Sequence, residues 1–202
     1  MIKVLNLYAG IGGNRKLWEG VEVTAVENVP EIAKIYQEFF PNDNVVVEDA
    51  HQYLLNHYKE FDFIWSSPPC PTHSRVRKAT KHQNKPLFPN MKLYEEILFL
   101  MGYFKGQWVV ENVKSWYDPL IKPQDVGNHY MWSNFIISKM KCNDRKHDGK
   151  VEELEKRKGF DLNGKECGIE KKLLLRNCVE PELGLHVFNC AFKIKQVRLG
   201  EI

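Results

Sequence analysis

The chain has 202 residues, 43% hydrophobic and 27% charged, which is the size of one domain with a core of its own and excludes intrinsic disorder. Its longest apolar runs, such as Val45 to Val47 and Ile97 to Met101, fall far short of the roughly 20 residues a bilayer span needs. Met1-Ile2-Lys3 passes straight into Val4-Leu5-Asn6-Leu7 without the pattern of a secretory signal, so no membrane contact is expected and the cytoplasm is the expected compartment. A net charge of +3 is too small by itself to announce a nucleic-acid binder.

In chain order, Ile2 to Leu7 reads as a buried strand, and Tyr8-Ala9-Gly10-Ile11-Gly12-Gly13 as a turn into a helix beginning near Asn14. Val21 to Glu27 is a second strand. Pro30 then opens a helix over Glu31 to Phe40, with Ile32, Ile35, Tyr36 and Phe39 on one face. A strand at Asn44 to Val47, a helix near His51 to His57 and a strand at Phe61 to Ser66 follow. This alternation predicts an α/β domain with a mainly parallel sheet covered by helices on both faces.

Ser67 to Asn90 contains five prolines and no regular period, which predicts a long loop, and long loops in compact domains are usually functional. Between Thr72 and Lys92 six basic residues stand without one acid. This favours phosphate binding over a merely solvated face. Helix Leu93 to Phe104, strand Trp108 to Val110 and strand Tyr130 to Ser138 continue the pattern. Lys139 to Arg176, with twelve basic and eight acidic residues and little apolar periodicity, reads as a small inserted subdomain. Pro181 to Phe192 carries a modest helix signal. The expected division is therefore 1–138, 139–176 and a returning segment, 177–202.

Three segments carry chemistry. Glycines at the first strand-to-helix turn let a ligand approach the backbone, and Glu27, 17 residues after Gly10, could take both hydroxyls of a ribose. The spacing is not GxGxxG, so a dinucleotide is not expected, and a tight connection is the alternative reading. Ser66-Ser67-Pro68-Pro69-Cys70 puts a cysteine on a proline-stiffened turn at the carboxyl edge of the sheet, near His73, Arg75, Arg77 and Lys78, where basic neighbours would favour the thiolate. Glu111-Asn112-Val113 ends the fifth strand at the same edge, so a thiol nucleophile and a carboxyl proton donor could converge there. Buried structural cysteine and solvated acid are the plainer alternatives. Cys70, Cys142, Cys167, Cys178 and Cys190 are odd in number and lack a CxxC pair, so neither a disulfide framework nor a metal site is expected.

Taken together and in order, these segments resemble the DNA cytosine carbon-5 methyltransferase family. Leu7 to Gly13 is similar to its first S-adenosylmethionine motif, Pro68-Pro69-Cys70 to its nucleophile motif, and Glu111-Asn112-Val113 to its proton-donor motif. Arg176-Asn177-Cys178-Val179-Glu180-Pro181 resembles the last block, which packs back on the cofactor site. The resemblance implies a Rossmann-like class I fold with S-adenosylmethionine bound by Tyr8, Ala9, Gly10, Gly12, Gly13, Glu27, Asn28, Asp49, Ala50, Pro69 and Asn177, and left as S-adenosylhomocysteine. It implies catalysis by Cys70 and Glu111 on a cytosine flipped from DNA, with Arg75, Arg77, Lys78 and Lys81 on phosphates.

Two departures stand out. The family has Gln or Ser after Pro-Cys and then a Phe-Ser pair, where this chain has Pro71-Thr72-His73-Ser74. Pro123 to Tyr130 occupies the place of a QxRxR block without its arginines, one of which contacts the pyrimidine in the family, so Arg75, Arg77 or His129 is expected to substitute, Arg77 foremost. Only Lys139 to Arg176, about 38 residues, is left for target recognition, and it reads equally as a packing insertion. Trp116, Tyr117, Tyr130 and Trp132 read as core or rim aromatics, with stacking on bases as the alternative. The compact form is similar to members carried by phages, which would place it in host cytoplasm, as a monomer without metal. Two other readings remain: the same chemistry on RNA or a free cytidine nucleotide, or a silent nucleic-acid-binding module.

Overall fold

The computed structural model describes residues 1–75, 88–140, 149–165 and 168–192. Seven strands form one sheet: β1 (Ile2–Leu7), β2 (Val21–Val26), β3 (Asn44–Val46), β4 (Phe63–Ser66), β5 (Gln107–Val113), β6 (Gln124–Val126) and β7 (His129–Ser133). Their order is β3-β2-β1-β4-β5-β7-β6. The first five pair in parallel, while β7 runs antiparallel to β5, and β6 to β7. The predicted strand at Tyr130 to Ser138 begins one residue earlier and stops at Ser133. Its partner β6 carries no signal in the sequence, because Gln124 to Val126 is too short and polar to show a period.

The helices are α1 (Pro30–Phe39), α2 (Ala50–His57), α3 (Lys92–Tyr103), α4 (Val151–Lys158), α5 (Lys171–Asn177) and α6 (Pro181–Phe192). Pro30 sits at the start of α1, and Ile32, Ala33, Ile35 and Tyr36 face inward. Asp49 caps α2 by accepting a bond from the Gln52 amide at 2.9 Å. Strand side chains alternate between two cores. Leu5, Leu7, Val26, Ile64 and Val110 lie under α2 and α3, whereas Val4, Val23, Phe63 and Val109 lie under α6 and Trp18. Trp132 belongs to the first core.

The expected helix after the glycine turn does not form. Gly13 to Leu17 is a run of turns, with Lys16 and Trp18 amides bonded three residues back. Three interactions pull the segment flat. Asn14 exchanges amide bonds with Asn6, the tighter at 2.7 Å; Arg15 clasps Asp43 at 2.9 and 3.0 Å; and the Trp18 indole donates to Gly184 O at 3.1 Å. Helix α6 takes the place beside β1 that a crossover helix would fill. A Cβ on Gly184 would lie 2.3 Å from Asn14 O, so only glycine lets α6 come this close.

Within Lys139 to Arg176, Leu154, Phe160, Leu162, Leu174 and Leu175 share a core with Ile11, Ile32 and Ile35. Helices α4 and α5 therefore lean on α1 and the glycine turn, burying apolar residues whose spacing carries no clear period. Gly159 ends α4 in the left-handed region at φ 68°.

Candidate active site

The glycine turn leaves β1 through Tyr8, a non-glycine residue at φ 56°, a conformation that costs about 1 to 2 kcal/mol. Gly10 (φ 55°) and Gly12 (φ 85°) follow. Gly12 serves packing, since a Cβ there would lie 2.3 Å from the Phe40 ring. Gly10 faces open space, with nothing within 4 Å of an added Cβ. Beside it, Glu27 is 8% exposed and held by two amides, Gly10 N to Oε2 and Val29 N to Oε1, each at 3.0 Å. Ala9 and Ala50 are buried, while Asn28, Asp49, Pro69 and Asn177 are exposed.

Asp49 spends one carboxylate oxygen on its helix cap, and this amide bond holds its pKa below the usual carboxylate value. The final block does reach the glycine turn: a Cβ on Gly13 would lie 2.3 Å from both Cys178 Sγ and Val179 O. Asn177 stands at the exposed end of α5.

Cys70 follows β4 on a turn in which its carbonyl accepts from the His73 and Ser74 amides at 2.9 and 3.1 Å. It is a free, half-buried thiol. Burial raises its pKa, and the charge of Glu111 raises it further. Glu111 lies inside β5 rather than at its end, 6% exposed. Next to it, Asn112 donates to Pro68 O at 2.8 Å and accepts from the Val113 amide at 3.0 Å. This buried amide, to which the sequence assigns no role, ties the acid's strand to the cysteine's turn.

His73, in the place of the family's Phe, is 1% exposed. Its Nδ1 pairs with the Tyr117 hydroxyl at 2.6 Å, and burial lowers its pKa. Trp116 Nε1 donates to Thr72 O at 3.0 Å, the Trp116 amide to His73 O at 2.9 Å and the Arg75 amide to Lys114 O at 3.1 Å. Trp116 and Tyr117 thus brace the cysteine turn. Arg75 is exposed; Arg77, Lys78 and Lys81 lie outside the described residues. His129 places Nε2 3.7 Å from Glu111 Oε1.

Sequence reasoning also misses Glu96. It lies on the inner face of α3 with no exposed surface and accepts bonds from the Tyr8 and Ser66 hydroxyls, each at 2.6 Å. His51 Nδ1 lies 3.1 Å away. A charged residue on the buried side of an otherwise apolar helix was the available signal. Among the described residues no three metal-ligating groups cluster, and no helix is long and apolar enough to cross a membrane.

This sheet order, with a glycine turn beside an amide-held acid, is the Rossmann-like fold of the S-adenosylmethionine-dependent methyltransferase class. A family model described as C-5 cytosine-specific DNA methylase matches residues 2–119, and the chain belongs to that family. Among solved structures, a methyltransferase of Entamoeba histolytica aligns over 96% of this chain and 98% of its own at 12% identity and TM-score 0.52, a likeness of fold. DNMT2 of Spodoptera frugiperda is 26% identical over 56% of this chain and 36% of its own, with TM-score 0.41. A hypothetical protein of Thermus thermophilus is 20% identical over 65% of this chain and 73% of its own, with TM-score 0.46. No curated protein matches.

S-adenosylmethionine, which the fold class implies, suits the residues present. The open space over Gly10 admits a ligand against the backbone. Glu27, fixed by two amides, keeps lone pairs free for ribose hydroxyls.

Proposed function

We propose that this protein methylates carbon 5 of cytosine in DNA through a covalent adduct with Cys70. The observation that carries the reading is geometric: the half-buried Cys70 thiol follows β4 and the buried Glu111 carboxyl lies on β5, the strand paired with it, and the Asn112 bond to Pro68 O ties the two segments together. A pyrimidine between them would meet a nucleophile and a proton donor at once.

In this mechanism the Cys70 thiolate adds to carbon 6 while Glu111 protonates or holds ring nitrogen 3, which makes carbon 5 nucleophilic. S-adenosylmethionine, when bound, would supply the electrophilic methyl group for carbon 5 and leave as S-adenosylhomocysteine. After methylation, loss of the carbon 5 proton to a base and elimination across carbons 5 and 6 would free Cys70. Glu27, Gly10 and the buried Ala9 and Ala50 would hold the cofactor, with Tyr8, Gly12, Gly13, Asn28, Asp49, Pro69 and Asn177 around it. The ring atoms are stacked inside a duplex, so the base must be flipped out at a cost of about a few kcal/mol. Arg75, with Arg77, Lys78 and Lys81 beyond it in sequence, would grip the phosphates without reading bases. Lys139 to Arg176 offers a minimal reading element, joined to the glycine turn through a shared core.

DNA containing 5-fluorocytosine tests this. The fluorine blocks loss from carbon 5, so a covalent protein–DNA adduct should accumulate only with cofactor, and Cys70→Ser should abolish it. Absence of an adduct with the unaltered protein overturns the reading, and preferential trapping on RNA or nucleotide would redirect the substrate. Bisulfite sequencing of DNA from expressing cells would then locate the methylated cytosines.

A further inference from the structure

Glu96 is the most deeply buried charged group beside the proposed site, and three segments converge on it. Tyr8 leads from β1 into the glycine turn, Ser66 ends β4 four residues before Cys70, and His51 stands in the first turn of α2 beside Asp49 and Ala50. A carboxylate with no exposed surface is costly unless its oxygens are satisfied. Here Oε1 takes Tyr8 and faces His51, and Oε2 takes Ser66. The His51 ring also approaches Glu95, with Nε2 3.7 Å from Oε2.

Tyr8 adds a second, independent observation. It is the one non-glycine residue at positive φ among those described, and such strain persists only where surrounding structure over-determines it. Its hydroxyl bond to Glu96 supplies that restraint. Burial, then the charge of Glu96, push the tyrosine pKa far up, so the O–H stays a donor.

We propose that Glu96 is a positioning residue: by holding the Tyr8 hydroxyl it keeps the backbone at Tyr8 left-handed, and so sets the glycine turn in the form that receives the adenosyl cofactor. Its bond to Ser66 joins the same anchor to the strand that carries the cysteine turn. This rests on the cofactor site proposed above. Glu96 does not touch cofactor or substrate; it acts through Tyr8.

The test is calorimetric titration of S-adenosylhomocysteine into the full chain and three variants, reading both Kd and stoichiometry. Tyr8→Phe removes only the hydroxyl, and Glu96→Gln leaves one of the donors facing an amide N–H. Each should weaken binding by about tenfold, the scale of a charge-assisted hydrogen bond, with stoichiometry unchanged. A residue that merely stabilised the fold would weaken apparent binding only in proportion to the lost folded fraction, which circular dichroism on the same samples reads. Tyr8→Gly is the discriminating variant: glycine adopts this φ without strain, so it should bind more tightly than Tyr8→Phe although it loses the whole ring.

Equal affinity of wild type and Tyr8→Phe overturns the proposal, as does a Gly variant weaker than the Phe variant. If Glu96→Gln does not fold, the two Tyr8 variants decide. Failure of the unaltered protein to bind S-adenosylhomocysteine would instead overturn the cofactor reading, which separates the two failures.

Discussion

Glu111 and His129 sit diagonally across the antiparallel junction of β5 and β7, with Oε1 and Nε2 3.7 Å apart. The register pairs Glu111 with Met131 and Val113 with His129, so both side chains project to one face of the sheet. Both are largely covered from solvent, with side-chain exposures of 8% and 17%. Of the residues expected to replace the missing arginines, Arg77 lies outside the described residues, and between Arg75 and His129 it is His129 that stands beside the acid. Its place in the reaction is a prediction: His129→Ala should slow single-turnover methyl transfer by about tenfold or more, while His129→Arg retains most of the rate. Cofactor affinity should not move. An alanine variant as fast as wild type would remove the imidazole from the chemistry.

The two causes that raise the Cys70 pKa can be separated. The reactive thiolate is the deprotonated form, so with the pKa raised it is scarce at neutral pH and grows as pH climbs. Glu111→Gln removes the charge contribution and leaves burial, so the pH profile of Cys70 alkylation by iodoacetamide should move to lower pH. Cys178, pushed up to about 11 by burial, should react far more slowly. Peptide mass spectrometry distinguishes them, and an unmoved Cys70 profile would deny the coupling.

Replacing Glu27 tests the ribose assignment. Glu27→Ala should weaken S-adenosylmethionine binding by about 1 to 3 kcal/mol, because it removes the acceptor and releases the Gly10 and Val29 amides it holds. Unchanged affinity by calorimetry would take Glu27 out of the site.

The close approach of α6 to the first turn carries a stability prediction. Gly184→Ala forces its Cβ against the Asn14 backbone and disturbs the Trp18 bond to Gly184 O, at an expected cost of about 1 to 3 kcal/mol. Urea denaturation measures it, and a neutral substitution would show that the helix can shift aside.

The basic segment after Cys70 should act through phosphates. Substituting Arg75 and Arg77 together should flatten the dependence of log affinity on log salt by about 1 for each contact removed. A loss of affinity with the slope unchanged would point away from ionic contacts.

Much of the fold, and the placing of the candidate residues on turns at one edge of the sheet, was legible in the sequence because it rests on local signals. Alternating apolar residues marked β1, β2 and β4, Pro30 marked the start of α1, and the glycines and the prolines before Cys70 marked turns at one edge. Glu27 could be picked out by its place after β2. Where the reading failed, a distant segment had intervened. The helix expected near Asn14 is absent because Asn6, Asp43 and Gly184 claim Asn14, Arg15 and Trp18. Residues 149–165 gave no period, since their few apolar side chains form a core only together with α1, α5 and Ile11.

The sequence by itself determined the α/β class, the order of the parallel strands and the residue types at their carboxyl edge, all of which follow from short-range periodicity and turn chemistry. Only the tertiary structure decided that Asn112 ties Glu111's strand to the cysteine turn, that His129 stands beside Glu111, and that Glu96 gathers Tyr8, Ser66 and His51. Those pairings join residues tens of positions apart, and the distance between two side chains on different elements is set by how the sheet and helices pack, which no local pattern encodes.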